Sequence, residues 1–329
     1  MKKTRKTVLS VIILSAMILF TGCYDSKKTV KDMYISFTVT QSTEEKNQFE
    51  MNTYCINLTD NKKEKVSVIP YTSQYPLTLY RKEENKVYYT AIAKDGKGDE
   101  VYVYDCSTGK KRKLTKNLFA VNYLFPIKDG IFIGAAGKGS ATTVRPYIYH
   151  TKSGKMEDLT WDKDFFISCA GYDPFSRKVY MAGYSEKKAM SVADEANNGI
   201  TNSIYELNEG KIKKIKEEKD CYMQAITAHS DLIYKSGNQL FDSKDSIYKY
   251  SFKSKNKEQI KVSEKLMREI EEIVFLDQKE IYCICSRTDS KGNDISQLCK
   301  INLDTMKKTL LFETRGESKI NNAQVQVEE

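Results

Sequence analysis

Histidine, tryptophan and proline are scarce in this chain of 329 residues, which contains 2, 1 and 5 of them respectively. With so little histidine, a Ser-His-Asp hydrolase, a histidine-bearing zinc site and histidine acid–base catalysis are all disfavoured. The eight cysteines show no Cys-x-x-Cys spacing, so a zinc ribbon is not indicated. Tyrosine, by contrast, is abundant at 22 residues, and strand formers dominate over any long amphipathic heptad pattern. The composition favours an all-β protein.

The N-terminus combines a basic segment, a short apolar run and a cysteine. The apolar run over 8–20 has the length of a signal-peptide core and is too short for a comfortable membrane span. It ends in Phe-Thr-Gly-Cys at 20–23, which resembles a bacterial lipobox with phenylalanine where leucine is commoner. The resemblance implies a signal peptide over 1–22, a lipid on Cys23 and a polar tether over 23–31. The protein would then be lipid-anchored to the cell membrane and face outside the cytoplasm; the alternative is an ordinary signal peptide with a coincidental cysteine.

The formal net charge of +9 falls to about +5 without residues 1–22. The remaining charges of both signs are interspersed, which suits a soluble surface with loose attraction to anionic wall polymers or lipid headgroups. The basic run at 110–113 recurs at the same place in other repeated units, where it keeps an outer strand soluble. No nucleic acid is therefore expected as a partner.

Seven cysteines follow Cys23, an odd number that cannot all pair internally. A chain of this length can bury a core without disulfides, so we expect mostly free, buried thiols that act as small hydrophobic residues. Cys283 and Cys285 lie on the same face of one predicted strand. A bridge from either of them to Cys299 is the expected exception if their strands are neighbours.

Six segments share one pattern of alternating apolar and aromatic residues, a polar turn and a second short strand. Further strand-like stretches precede each segment, so each unit holds three or four strands in roughly 45–50 residues. This period is typical of β-propeller blades. The segments are 51–68, 100–115, 145–160, 202–216, 245–262 and 296–312, and their aligned central residues are Tyr54, Tyr102, Tyr147, Tyr205, Tyr248 and Cys299.

Only the first unit lacks its innermost strand, and an alternating segment at 323–328 follows the sixth unit. Because an open propeller ring would expose strand edges, we expect this last strand to complete the first blade. The prediction is one all-β domain over 32–329, a six-bladed β-propeller of four-stranded antiparallel blades. The pattern resembles bacterial TolB-like propellers, including lipoprotein propellers, over nearly the whole chain. That resemblance implies the fold and leaves the ligand open.

Two sets of loops share the face on which we expect binding. With strands lettered A to D from the centre outward, the B–C and D–A loops lie on one face, here called the long-loop face. The predicted B–C loops are long and varied, and variable loops on a rigid scaffold usually carry binding. They are 93–100, 137–146, 185–202 and 287–296, of which 187–197 suits a helical turn. His150 and His229 are expected on the opposite face.

The D–A loops of the long-loop face carry the aromatic candidates. Trp161 is the foremost of these, because tryptophan stacks on sugars or fills peptide pockets; packing between blades is its alternative role. The predicted ligand or partner contacts are Trp161, Asp162, Asp164, Phe165, Phe166, Tyr71, Tyr75, Arg145 and Lys187.

No catalytic residue, cofactor or metal is indicated, since neither 134–140 nor 289–294 has the spacing of a phosphate loop or an EF-hand. The predicted function is a binding or scaffold module for a protein, a peptide or a cell-wall glycan. The alternative is a carbohydrate-active enzyme, either a polysaccharide lyase or a glycosidase, that uses tyrosine, lysine, arginine and carboxylates. A purely structural lipoprotein is the third. A catalytic propeller should gather carboxylates in one pocket, whereas a binding propeller should present a broad, aromatic-rimmed surface.

Overall fold

The alternating segments form 24 strands in the described part of the chain, arranged as six four-stranded antiparallel sheets. The computed structural model describes residues 32–45, 48–193, 200–237, 245–277 and 279–328. Consecutive strands pair through short connections, as a propeller blade requires. The predicted six-bladed β-propeller is confirmed.

The strands of each blade are given from the centre outward. Blade 1 holds β24 (Lys319–Val327), β1 (Met33–Ser42), β2 (Phe49–Asn57) and β3 (Lys63–Pro70); blade 2 holds β4 (Thr78–Arg81), β5 (Lys86–Ile92), β6 (Asp99–Asp105) and β7 (Lys111–Lys113). Blade 3 holds β8 (Leu118–Ile127), β9 (Gly130–Gly137), β10 (Ser140–His150) and β11 (Lys155–Asp158); blade 4 holds β12 (Phe165–Asp173), β13 (Lys178–Ser185), β14 (Asn202–Asn208) and β15 (Lys211–Glu218). Blade 5 holds β16 (Tyr222–His229), β17 (Asp231–Gly237), β18 (Ser246–Ser251) and β19 (Lys257–Ile260); blade 6 holds β20 (Ile270–Asp277), β21 (Glu280–Thr288), β22 (Asp294–Asn302) and β23 (Lys308–Arg315).

The C-terminal strand closes the propeller. β24 pairs antiparallel with β1, from Met33 opposite Val327 to Thr40 opposite Lys319. It therefore forms the innermost strand of blade 1, as predicted, and neither end of the chain leaves an open blade. β24 begins at Lys319, four residues earlier than the alternation at 323–328 predicts.

The core lies between blades. Six hydrophobic clusters of buried residues each join side chains from two neighbouring sheets. Many of the tyrosines pack here, among them Tyr149 and Tyr234, whose exposed fractions are 2% and 0%. Burial of such large aromatic surfaces at every blade interface supplies most of the stabilising free energy of the ring.

The connections differ from the predicted loops in length. Strand pairing extends into the predicted loops. The connection over 137–146 is shorter than predicted because β10 already begins at Ser140, and the connection over 287–296 is reduced to 289–293. Helix α1 (Glu186–Ala193) lies in the third loop, which confirms a helical turn as far as Ala193. The remainder of that predicted turn, 194–197, lies outside the described residues. A second helix, α2 (Glu264–Glu269), was not predicted; the Ser263 side chain accepts a hydrogen bond from the amide of Leu266 and caps it.

All seven described cysteines are free thiols, and five of them are buried. The expectation of free, buried thiols is therefore confirmed. β21 and β22 are neighbours, so Cys283 and Cys299 face each other across the sheet without a bond between their sulfur atoms.

Candidate binding site at the channel mouth

Seven of the nine predicted contact residues come together around the loop between β11 and β12. Trp161 packs against Phe165 and Tyr205, with ring centroids 5.1 and 4.7 Å away, and remains 38% exposed. Arg145 donates a hydrogen bond of 3.2 Å to the carbonyl oxygen of Lys163 in the same loop. One side of Trp161 therefore packs on blade 4, while the other faces solvent. Phe165 is buried beneath it and Phe166 is half-buried.

Asp164 of the same loop holds helix α1 in place. Its carboxylate accepts hydrogen bonds from the Ser185 hydroxyl and from the amide of Lys187, the latter at 3.0 Å. These two bonds lower the pKa of Asp164 below its ordinary value. A carboxylate at a helix N-terminus also interacts favourably with the helix dipole. Asp164 therefore positions the long loop, while Asp162 and the Lys187 side chain are exposed.

Tyr71 and Tyr75 lie in a different D–A loop, between β3 and β4. The Tyr71 hydroxyl donates to the carbonyl oxygen of Gln74 at 3.3 Å, and Tyr75 is 46% exposed. Gln74 ties the loop to blade 2 and blade 3. Its backbone N–H donates to the Asp99 carboxylate at 2.7 Å, and its side-chain amide donates to the carbonyl oxygen of Phe119 at 2.9 Å. These tyrosines belong to the same face as Trp161 and form a separate part of its surface.

Five of the six innermost strands contain a β-bulge near the end that faces the long-loop side. Each pairing register leaves one polar residue without a partner on the second strand, and β8 and β20 each have a second bulge, at Phe119 and Val274. A bulge breaks the alternation of a strand and turns the extra side chain in a new direction. The polar extra residues are called the bulge residues below: Asn122 on β8, Ser168 on β12, Gln224 on β16, Glu271 on β20 and Asn321 on β24.

Four of the bulge residues line a cavity of about 270 Å³ at the centre of the propeller. This cavity, at the long-loop end of the central channel, is called the channel mouth. Every innermost strand, or the loop that leads into that strand, contributes to the wall of the cavity. Leu77 comes from blade 2, Glu272 from blade 6 and Gln324 from blade 1. Among the described residues, Asn122 Oδ1 and Gln324 Oε1 are buried and have no hydrogen-bond partner. The described wall carries no lysine, arginine or histidine. The cavity therefore presents hydrogen-bond acceptors to whatever enters it.

Glu271 and Glu272 both reach this cavity because of the bulge. Neighbouring residues of a regular strand point to opposite faces, whereas the extra residue at Glu271 lets the two side chains line the same space. Burial in the channel and, to a lesser extent, the charge of Glu271 raise the pKa of Glu272 to about 8, despite a hydrogen bond from the amide of Ala323. Near neutral pH Glu272 therefore keeps its proton.

A second cavity of about 430 Å³ adjoins the first and shares Glu271 and Asn321 with it. It lies between blades 6 and 1 and adds basic side chains, Arg287 and Lys319, which are exposed. The channel mouth thus passes from an acceptor-lined interior to a basic rim.

The sequence reasoning missed the bulge residues, although a signal for them exists. Each one directly follows a buried apolar residue: Val121, Ile167, Met223, Ile270 or Ile320. A polar residue at that position recurs in five units at the start of the innermost strand. Tyr222, exposed by 38% at the start of β16, and Tyr184 are further aromatic residues of this face that were not predicted.

His150 and His229 lie at the end opposite the channel mouth, as expected. His150 ends β10 and contacts Glu157 at 2.8 Å, and His229 ends β16 beside Phe175, with ring centroids 4.3 Å apart. Neither histidine is near the bulge residues. In the described part of the chain, no helix has the length and apolar character needed to cross a membrane.

No protein-family model matches this chain, and no curated protein matches it in sequence. Solved structures of similar fold do exist. TolB from Acinetobacter baumannii superposes with a TM-score of 0.55 and 12% identity, covering 88% of this chain and 66% of that one. A chain of a nidogen/laminin complex gives a TM-score of 0.54 and 10% identity, covering 89% and 98%. The β-propeller domain of the Trilobed protease from Pyrococcus furiosus, described as having an open velcro topology, gives 0.51 and 12%, covering 85% and 92%.

These similarities establish a six-bladed β-propeller fold like that of TolB, shared with propellers of proteases and of binding proteins. At 10 to 12% identity they speak to the fold alone. The open topology of the archaeal propeller contrasts with this chain, in which β24 closes blade 1.

Proposed function

We propose that this protein is a lipid-anchored binding module outside the cytoplasm, which takes an ammonium group of a protein or peptide partner into the channel mouth. The observation that carries the proposal is the acceptor-lined cavity formed by the bulge residues. An ammonium group is a cation with three hydrogen-bond donors and no acceptor. It complements the side-chain oxygens of Glu271 and Glu272 and the unpartnered oxygens of Asn122 and Gln324.

The size of the cavity supports a small group over a polymer chain. A volume of about 270 Å³ lies slightly below the range of pockets that enclose whole drug-sized ligands. It suits an N-terminal amine or a lysine side chain. The basic rim at Arg287 and Lys319 complements acidic groups farther along the same partner.

The exposed aromatic residues of the long-loop face supply the remaining contact surface. Trp161, Tyr75 and Tyr222 are each 38% to 46% exposed, and large aromatic side chains dominate binding energy at protein interfaces. A peptide seated in the channel mouth would rest on this surface. The lipid anchor rests on the lipobox-like sequence that ends at Cys23, which lies outside the described residues.

Affinity capture from solubilised cell envelope tests the proposal. The full chain should retain a partner that the double variant Glu271→Gln/Glu272→Gln loses by about 10-fold or more, because both carboxyl groups that line the cavity are replaced by neutral amides. Glu258→Gln, an exposed carboxylate on the outermost strand of blade 5, is the matched control and should bind normally. Acetylating the amines of the captured partner should abolish binding. Equal capture by the double variant, or binding that survives acetylation, would remove the proposed site.

The second candidate is the carbohydrate-active enzyme, favoured by one observation. Two adjacent carboxylates of which one keeps its proton near neutral pH are the arrangement that general acid catalysis uses. Release of reducing or unsaturated sugars from cell-wall polysaccharide by the full chain, lost in Glu272→Gln, would support this function over simple binding. The described cavity wall contributes no arginine or lysine to the pair, which favours binding.

A further inference from the structure

One position in the repeated blades differs in chemistry from all its equivalents. In blades 1 to 5 a tyrosine on the third strand faces a large residue on the second strand. In blade 6 both positions are cysteines, Cys283 and Cys299. The equivalent pairs are Phe37–Tyr54, Tyr89–Tyr102, Ile133–Tyr147, Met181–Tyr205 and Tyr234–Tyr248.

A third thiol completes the group. Cys285 follows Cys283 by two residues and so lies on the same face of β21. The Sγ atoms are separated by 3.3 Å for Cys285 and Cys299, 3.6 Å for Cys283 and Cys285, and 3.8 Å for Cys283 and Cys299. All three residues are at most 1% exposed. These cysteines show no zinc-like spacing along the chain because strand pairing, and not local spacing, brings their sulfur atoms together.

The distances match those of metal thiolates. A point equidistant from the three sulfur atoms lies about 2.1 Å from each, close to the metal–sulfur bond length of ~2.3 Å. A small displacement from the plane of the sulfur atoms reaches that length. The ligand positions are therefore already formed, with no rearrangement of β21 or β22.

The surrounding charges suit a bound cation with thiolate ligands. Lys308, paired with Glu269 at 2.9 Å, adds a nearby positive charge. A metal ion releases the protons of the thiols that coordinate it.

We propose that Cys283, Cys285 and Cys299 form a buried site for a soft, thiophilic metal ion, with Cu(I) as the ion that fits best. Thiolate ligands select soft ions such as Cu(I) over hard cations. Zinc requires a fourth ligand in a closed site, and the described residues add no histidine, carboxylate or further thiol to the group. Three sulfur donors suffice for Cu(I). No electron transfer is involved, since the ion is bound as Cu(I) and three thiols give up their protons.

Copper titration of the full chain in detergent, reduced and kept free of oxygen, tests this site. Cu(I) is added in competition with bicinchoninate, a coloured Cu(I) chelator. We expect one tightly held Cu(I) per chain, a sulfur-to-copper charge-transfer band and protection of three thiols from alkylation. Cys299→Ala should weaken binding by about 100-fold or more, because one of three bonds is lost. Cys169→Ala, which removes a buried thiol of blade 4 outside the group of three, is the control and should bind as the wild type does.

Three results would overturn the proposal. They are failure of the wild-type chain to take Cu(I) from the chelator, equal affinity in Cys299→Ala, and displacement of Cu(I) by an equal concentration of Zn(II). A disulfide from Cys299 to Cys283 or Cys285 in the protein as isolated, persisting under mild reduction and blocking copper, would also overturn it. X-ray absorption at the copper edge decides the matter if the variants fail to fold: three sulfur neighbours support the site, and nitrogen or oxygen neighbours contradict it.

Discussion

The hydroxyl of Tyr34 on β1 donates a hydrogen bond of 3.0 Å to Oε1 of Gln326 on β24. The same amide donates through Nε2 to the carbonyl oxygen of Tyr80 in blade 2, at 2.6 Å. Gln326 thereby connects the first strand, the last strand and the next blade at a buried position. The closure is held by side chains as well as by the backbone ladder.

Gln326→Leu should lower the free energy of unfolding by about 1–3 kcal/mol, because the Tyr34 hydroxyl and the Tyr80 carbonyl each lose a buried hydrogen bond. Deletion of 319–329 should be more severe, since it removes a whole innermost strand. Urea unfolding measures both. Glu328→Gln is the control: it removes an ion pair of half-exposed side chains with Lys82 and should cost less than about 1 kcal/mol. Equal losses for Gln326→Leu and the control would mean that the closure does not depend on this amide.

Glu272→Gln should change how stability depends on pH. The pKa of Glu272 is raised to about 8 from an ordinary value of 4.5, so the folded state keeps a proton that the unfolded state releases between these values. The wild type therefore loses stability as pH rises through this window. The variant should be about 1–3 kcal/mol more stable than the wild type above pH 8 and show no gain below pH 4.5. Parallel stability profiles of the two proteins from pH 4 to 9 would contradict the raised pKa.

Glu218→Gln should destabilise the contact between blades 4 and 5. The carboxylate accepts hydrogen bonds from the Tyr234 hydroxyl at 2.6 Å and from Lys257 at 2.9 Å, and pairs with Lys216 at 2.6 Å. Burial opposes ionisation here, but these partners outweigh it and lower the pKa of Glu218. We expect a loss of about 2–3 kcal/mol at neutral pH.

The pH dependence of that loss has the opposite sign to that of Glu272. Because the pKa of Glu218 is lower in the folded state, its stabilisation is present above the ordinary value of 4.5 and disappears as pH falls through the lowered pKa. Glu217→Gln, an exposed neighbour paired with Lys214, is the control and should change stability little. Thermal unfolding at pH 7 and pH 3 distinguishes the two carboxylates, and a Glu218→Gln deficit that persists at pH 3 would contradict the assignment.

Trp161→Ala should cost about 1–2 kcal/mol of stability through lost packing on Phe165 and Tyr205. It should also weaken capture of the envelope partner. Phe175→Ala is the control, because Phe175 is 46% exposed and lies on the opposite face beside His229. That variant should lose stability and keep the partner. Unimpaired capture by Trp161→Ala would exclude the tryptophan from the binding surface.

Cys23→Ala should release the protein from the membrane fraction into the soluble fraction, because the lipid attachment atom is removed. Cell fractionation followed by immunoblotting measures the distribution. Cys106→Ala, which alters a half-buried thiol, should leave the protein in the membrane fraction. Retention of Cys23→Ala in the membrane would contradict the lipid anchor.

The blades and their closure could be predicted from the alternation of apolar and polar residues, because every blade of a propeller packs against its two neighbours in the same way. Each unit needs an apolar face toward both neighbours, so its pattern recurs along the chain, and the missing first strand is supplied by 319–327. The loops were predicted less well, since backbone pairing continues beyond the apolar pattern, as at Ser140. Trp161 was recognised as an exposed aromatic residue, and its packing on Tyr205 was not.

The channel mouth could not be predicted from the alternation of residues, because the position of a bulge is set by how one strand pairs with another. Glu271 is an extra residue only with respect to the consecutive partners Cys285 and Ile284 on β21. The raised pKa of Glu272 follows from the same register, since it brings a second carboxylate into a confined space. The three thiols of blade 6 likewise meet through pairing of β21 with β22.

The register of the closing strand also fixes where the first and last strands of the domain come together. Met33 lies opposite Val327, at the end of blade 1 away from the channel mouth. A label attached beside either residue would therefore leave the acceptor-lined mouth uncovered.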